Sequence, residues 1–158
     1  MKLLAGPVFR NRLSLITFPY FLLLNAESHI LVSVGRPSMV GTMDAPLTVV
    51  AGMPMYNEEE TIGTVVTQAM DYVDHVICVD DGSSDSSARI AEACGAIVHR
   101  HRVNRGYGGA LKSLFAKARE LDADCLVILD SDGQHDTSDI PKILEPIIQG
   151  EADFVIGS

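Results

Sequence analysis

The sequence predicts an α/β fold, a mostly parallel sheet flanked by helices, over residues 44–158. Three observations lead there. Short apolar runs recur without apolar–polar alternation, as strands buried on both faces require. Stretches of helical periodicity separate those runs, the pattern of helix layers packed on a sheet. Three of the runs end in polar, turn-forming clusters. With 158 residues, 47% of them hydrophobic and 21% charged, the chain has the material for one domain with its own core rather than for a disordered segment.

The elements follow in order. Residues 48–53 form the first strand, closed by Pro54. Asn57 then reads as a helix N-cap, with Glu58, Glu59 and Glu60 in the first turn, where carboxylates favour the positive end of the helix dipole. Ile62, Val65, Val66, Ala69 and Met70 recur at helical spacing and give that helix its buried stripe. Residues 76–79 are the next strand, halted by Asp80-Asp81-Gly82-Ser83. Ser84 or Asp85 caps a second helix that runs through Cys94 and stops at Gly95. Residues 96–99 are a third strand. After the glycine-rich stretch 104–109, residues 110–121 form a third helix with Leu111, Leu114, Phe115 and Ala118 on one face. Residues 125–129 are a fourth strand ending at Asp130. Thr137 or Ser138 caps a fourth helix with Pro141 in its first turn, and residues 154–156 begin a fifth strand.

Charge narrows the classes of partner. Residues 1–43 carry Lys2, Arg10, Arg12 and Arg36 against Glu27, while the rest holds 8 basic and 20 acidic side chains. A surface this acidic repels phosphate backbones, so no nucleic-acid partner is expected; it suits a protein that binds cations. Cys78, Cys94 and Cys125 lie in apolar runs without metal-ligand spacing and read as small core residues in a reducing compartment.

Residues 1–43 read as a leader distinct from the domain at 44–158. The apolar run at 13–24 follows Arg10 and Arg12, but it is too short for a bilayer span of about 20 residues and contains Pro19. A dispensable leader, with translation starting at Met43, ranks first. Contact with the cytoplasmic face of a membrane ranks second. Secretion ranks last, because no small-x-small cleavage site follows and the domain reads as cytoplasmic. At the other end the chain stops on a strand, and a central strand with an uncovered edge is a rare ending, so the domain is expected to be an N-terminal portion.

In open parallel sheets ligands bind beyond the carboxyl ends of the strands, and three polar clusters fall there. Asp130 and Asp132 are two apart, so in extended backbone their carboxylates project to one side. Gly133 allows a bend that swings Gln134 and His135 back toward them. Two carboxylates and an amide oxygen with open positions suit Mg²⁺ or Mn²⁺; a solvated acidic turn is the rival. Asp80 and Asp81 are adjacent and point apart, one toward the base or ribose of a ligand, the other capping the turn at Gly82, unless both belong to a structural Asx-turn. Arg105 and Lys112 are cations near a helix start, suited to phosphate or simply solvated. Gly106-Tyr107-Gly108-Gly109 lacks the third glycine of a dinucleotide loop. His29, His75, His99 and His101 have no evident partners and read as surface or strand-edge residues; His135 stands apart because of its neighbours.

The pieces PMYNEEETI (54–62), VDDGSSDSS (79–87), NRGYGGAL (104–111), LDSDGQHD (129–136) and EADFVIGS (151–158) together resemble the family-2 glycosyltransferases with the Rossmann-like, nucleotide-sugar-binding glycosyltransferase-A fold. Within that family, DSDGQHD followed by IPKILEPI is most similar to the dolichyl- and polyprenyl-phosphate mannosyl- or glucosyltransferases. The resemblance implies a metal-dependent transfer of a hexose from a UDP- or GDP-sugar to a polyprenyl phosphate. An oxygen of the lipid phosphate attacks the anomeric carbon and nucleoside diphosphate leaves. It implies Asp130, Asp132 and Gln134 as metal ligands, with Asp132 catalytic. It places Pro54, Tyr56, Asn57, Glu58, Asp80, Asp81, Gly82 and Ser131 in segments lining the donor site. Two departures stand out: Thr137 occupies a position where proline is common, and the family usually continues past Gly157-Ser158 with an arginine and a long acceptor-binding region. A non-catalytic nucleotide- or metal-binding remnant is the alternative. A nucleotidyltransferase is disfavoured, because 53–60 is acidic and glycine-free where that class has a glycine-rich, basic loop.

Overall fold

The computed structural model describes residues 3–5, 30–34 and 47–157. Its elements in chain order are β1 (Leu3–Ala5), β2 (Ile30–Val34), β3 (Val49–Met55), α1 (Ile62–Ala69), β4 (His75–Asp80), α2 (Ser87–Ala93), β5 (Ile97–Arg100), α3 (Tyr107–Glu120), β6 (Cys125–Ile128), α4 (Ile140–Ile148) and β7 (Phe154–Gly157), with a 3-10 turn at Thr137–Asp139 leading into α4. One sheet contains all seven strands in the order β1-β7-β2-β6-β3-β4-β5.

The centre of that sheet is parallel. β3 pairs with β4 on one side and β6 on the other, and β4 pairs with β5. The chain therefore winds outward from β3 to β5, then crosses back through α3 to lay β6 on β3's far side. That reversal leaves a crevice between the carboxyl ends of β3 and β6, where loops diverge in opposite directions. The apolar runs of β3, β4 and β6 each feed two cores. Cys125, Val127 and Leu129 face α1, α2 and α4, while Leu126 and Ile128 face α3. Two-faced burial is why these strands lack alternation. Burial also raises the thiols of Cys78, to about 12, and Cys125, to about 11, so both are inert core residues at neutral pH.

Two strands come from within residues 1–43. β2 lies antiparallel between β6 and β7, and β1 pairs antiparallel with β7. The apolar run at 13–24 lies outside the described residues, as does His29.

Several helix starts differ from the sequence expectation, for local reasons. Asn57 does not cap α1: it takes a left-handed φ of 55°, and its Oδ1 accepts the Ser84 N–H at 2.9 Å. The backbone first winds through a turn in which Glu58 O accepts from Ile62 N–H, so Glu58, Glu59 and Glu60 precede the helix. The cap position of α2 is Ser86, which makes no side-chain cap bond; Asp85 accepts from Ser87 N–H at 3.0 Å and Glu59 accepts from Ser86 N–H at 2.9 Å. α3 starts three residues before the expected 110, because Gly106 supplies the turn and its carbonyl accepts from Gly109 and Ala110. Ahead of α4 the capping side chain is Asp136, not Thr137 or Ser138: its carboxylate accepts the Ser138 N–H at 2.9 Å. At α2 one of the two expected residues, Asp85, does accept from the helix start; ahead of α4 a charged acceptor, Asp136, takes the place of the residues that sequence pattern selects.

Candidate functional site

The crevice at the strand reversal is an open cleft of about 340 Å³, lined by Pro54, Met55, Tyr56 and Glu58 after β3, Asp81 after β4, Asn104, Gly106, Tyr107 and Ala110 at the start of α3, and Asp130, Ser131 and Asp132 after β6. Three segments far apart in sequence meet here because β3 lies between β4 and β6. Cross-bonds fix their relative positions. Ser131 Oγ donates to Pro54 O at 3.0 Å, and Thr61 Oγ1 donates to Ser131 O at 2.8 Å. Glu58 N–H donates to Ser87 Oγ at 2.7 Å.

The two adjacent aspartates divide their work. Asp80 is fully buried; it accepts from Ser83 N–H at 2.8 Å and pairs with Arg100 Nε at 3.1 Å. It closes the turn and is absent from the cleft lining. Asp81 lines the cleft. Its Oδ1 accepts from Arg105 N–H at 2.8 Å and meets His101 Nδ1 at 2.6 Å. Burial alone would raise the Asp81 carboxyl, but the His101 hydrogen bond and the Arg105 and Gly106 N–H groups outweigh it and hold the carboxyl below its ordinary range. Gly82, also absent from the lining, has φ 84°, and a Cβ there would approach Asn104 N to 3.1 Å. Its role is to let the β4 loop pass close under the loop before α3.

At the other wall, Asp130 is partly exposed, with its side chain at 34%. Its N–H donates to His135 Nδ1 at 3.2 Å. Nδ1 of His135 also lies 3.9 Å from Asp130 Oδ2. Asp132 Oδ1 accepts from Gln134 N–H at 2.9 Å. Gln134 thus meets Asp132 through its main chain, and its side chain is not part of the cleft wall. Asn57 likewise braces the Ser83–Ser84 turn from outside the lining. Arg105 and Lys112 are exposed and absent from the lining, and the Arg105 N–H bonds the lining residue Asp81.

Tyr107 and His101 are the residues that sequence reasoning passed over. Tyr107, weighed only as part of a glycine-rich loop, stands half-exposed in the cleft wall, as does Tyr56. Burial, then the charge of Asp130, raises its phenol above the ordinary value, which keeps it a neutral donor at neutral pH. His101 is not a surface or strand-edge residue: it is 5% exposed and holds two partners. The signal for it was faint, a histidine directly after a strand end and 20 residues beyond an unpaired-looking aspartate.

The family model for glycosyl transferase family 2 matches residues 51–158. A UDP-N-acetylglucosamine–dolichyl-phosphate N-acetylglucosaminyltransferase of Methanococcus voltae is 36% identical over 124 residues, which cover 67% of this chain and 49% of the relative. An undecaprenyl-phosphate mannosyltransferase of Micrococcus luteus is 36% identical over 113 residues, covering 67% and 46%. Among solved structures, glucosyl-3-phosphoglycerate synthase from M. tuberculosis, in complex with Mn²⁺, UDP-glucose and phosphoglyceric acid, matches with a TM-score of 0.58 at 28% identity, over 75% of this chain and 47% of that one. The chain spans about half the length of these relatives.

Proposed function

This chain belongs to glycosyl transferase family 2, and we propose that its cleft binds a nucleoside-diphosphate hexose together with Mg²⁺ or Mn²⁺, for transfer of the hexose to a polyprenyl phosphate. The observation that carries the reading is the convergence of Asp81, Asp130 and Asp132 on one cleft at the strand reversal. Similarity to a UDP-glucose- and Mn²⁺-bound synthase supports the donor and the metal. Similarity to dolichyl- and undecaprenyl-phosphate enzymes supports the lipid acceptor.

The residues fit such a cation. Among the described residues no group of three or more His, Cys, Asp or Glu side chains gathers to cage a metal. A pair of carboxylates on one wall is what Mg²⁺ and Mn²⁺ use when substrate phosphates complete the shell. Asp130 and Asp132 would hold the ion, with Asp132 oriented by the Gln134 N–H. Bound there, the cation supplies positive charge against the diphosphate as the bond to the sugar breaks. Asp81 lies across β3, about 10 Å away by two strand spacings. Among the described residues no basic side chain lines the cleft, so an ionised Asp81 repels diphosphate and accepts from neutral donors, which a base N–H or ribose hydroxyl provides. Tyr56 and Tyr107 offer ring faces and hydroxyls between the two ends. A phosphate acceptor is already anionic and requires no general base, in keeping with a cleft whose carboxylates are assigned to the donor. Among the described residues no helix is long and apolar enough to cross a membrane.

Calorimetric titration of the chain with UDP- and GDP-sugars, with Mn²⁺ and without, tests the reading. The expected result is Mn²⁺-dependent binding that Asp132→Ala weakens by at least roughly tenfold, and the preferred nucleotide identifies the donor. Binding indifferent to both metal and Asp132 would overturn it.

A further inference from the structure

We propose that His101 is a positioning residue for donor recognition: it holds Asp81 in the orientation that reads the nucleoside, and Ser113 anchors it to α3. The proposal rests on the donor-site reading above and goes beyond it, since none of the segments that mark the family includes His101.

The geometry is a relay across three elements. His101 directly follows β5, and its N–H donates to Asp80 O at 2.8 Å, which seats the residue beside the end of β4. The ring is almost wholly enclosed, its side chain 1% exposed. Nδ1 lies 2.6 Å from Asp81 Oδ1, and Nε2 lies 2.8 Å from Ser113 Oγ, two turns into α3. An ionised carboxylate only accepts, so Nδ1 carries the proton in that bond. Ser113 can complete the ring in either charge state, donating to a neutral Nε2 or accepting from a protonated one. The His99 ring meets the His101 ring edge to face at 5.4 Å, closing its remaining side.

The consequence falls on Asp81. Its Oδ1 is committed to the protein, to the imidazole and to Arg105 N–H, which fixes the carboxylate plane in the cleft wall. A carboxylate that must accept from a specific donor gains selectivity only if it cannot swing. His101 is the side chain that prevents it from swinging, and α3, whose first residues line the same cleft, is the frame against which it is braced. The lock acts at the Asp81 end and leaves the Asp130–Asp132 end untouched.

That asymmetry gives the test. Wild type, His101→Leu, His101→Asn and Ser113→Ala are titrated with UDP, GDP and inorganic pyrophosphate, all with Mn²⁺. A hydrogen bond to a charged group contributes about 1.5–3 kcal/mol, so H101L should bind the preferred nucleotide roughly ten- to a hundredfold more weakly. Pyrophosphate, which needs only the metal end, should change by less than about threefold. H101N, which keeps an N–H donor near the place of Nδ1, should recover most of the nucleotide affinity. S113A should lose a few-fold, about one neutral hydrogen bond's worth, for nucleotide alone. Equal nucleotide affinity in H101L and wild type would overturn the proposal. So would parallel loss of nucleotide and pyrophosphate without rescue by asparagine, the mark of a strut that only supports the fold. Should H101L fail to fold, H101N and S113A decide by the same split. A wild type that binds neither nucleotide sinks the donor-site reading itself, and the proposal with it; a binding wild type with indifferent variants sinks only the positioning role.

Discussion

Asp80 and Asp81 show how far two neighbouring residues of one type diverge once the backbone is set. At the end of β4 one carboxylate enters a turn and pairs with the half-exposed Arg100, and the other lines the cleft. That one aspartate would close the turn was legible in the sequence; which one closes it and which one lines the cleft was not. His101 was barely legible, because its partners lie 20 and 12 residues away: the β4–β5 pairing brings Asp81 to it, and the return of the chain through α3 brings Ser113. The depressed Asp81 carboxyl makes a prediction about acid. A group whose folded pKa lies below its unfolded value, about 3.9 for aspartate, adds stability that is complete above that value and is lost as pH falls through the folded one. Urea midpoints should therefore fall between pH 5 and pH 2.5, and Asp81→Asn should flatten that fall. An unchanged slope in the variant would show that other carboxylates carry the acid sensitivity.

Among the elements, the five strands after residue 47 were read closely, whereas β1, β2 and the helix starts were not. Strand limits follow from apolar runs that burial on both faces demands, and these are local in sequence. Caps are set by whichever acceptor reaches the free N–H groups, and here several come from other segments: Glu59 reaches the start of α2, and Ser84 takes the acceptor that Asn57 would otherwise have turned to α1. Asp85 is the test case. It accepts from Ser87 N–H and, through Oδ2, from Glu59 N–H at 3.1 Å, so it ties the α1 approach to α2. Asp85→Ala should lower stability by about 1 kcal/mol, the usual worth of a cap, within a range of about 0.5–2. Chemical denaturation measures it. A loss at the upper end, shared with Glu59→Ala in a double-mutant cycle, would mark the crossed pair as a unit; additive losses would mark two independent caps.

On the scale of the whole molecule, the sheet order determines where chemistry is possible, and it also decides what the first 43 residues contribute. The reading of those residues as a dispensable leader rests on composition, which cannot register strand pairing between distant segments. In the structure β7 has β1 and β2 as its sheet partners, and β2 is what joins β7 to β6. Without them, β7 loses its ladder and β6, the strand that leads to Asp130, presents an open, apolar edge. Open flat edges of this kind pair with other chains. A chain beginning at Met43 should thus form soluble oligomers or aggregates, and amides of Phe154–Gly157 should exchange faster than in the full chain. Size-exclusion chromatography with hydrogen-exchange measurements checks both. A monodisperse truncated chain with β7 still protected would return residues 1–43 to the status of a leader. An aggregating one that still binds nucleotide with Mn²⁺ would show that the N-terminal strands guard the sheet's edge, while β3, β4 and β6 suffice to build the cleft.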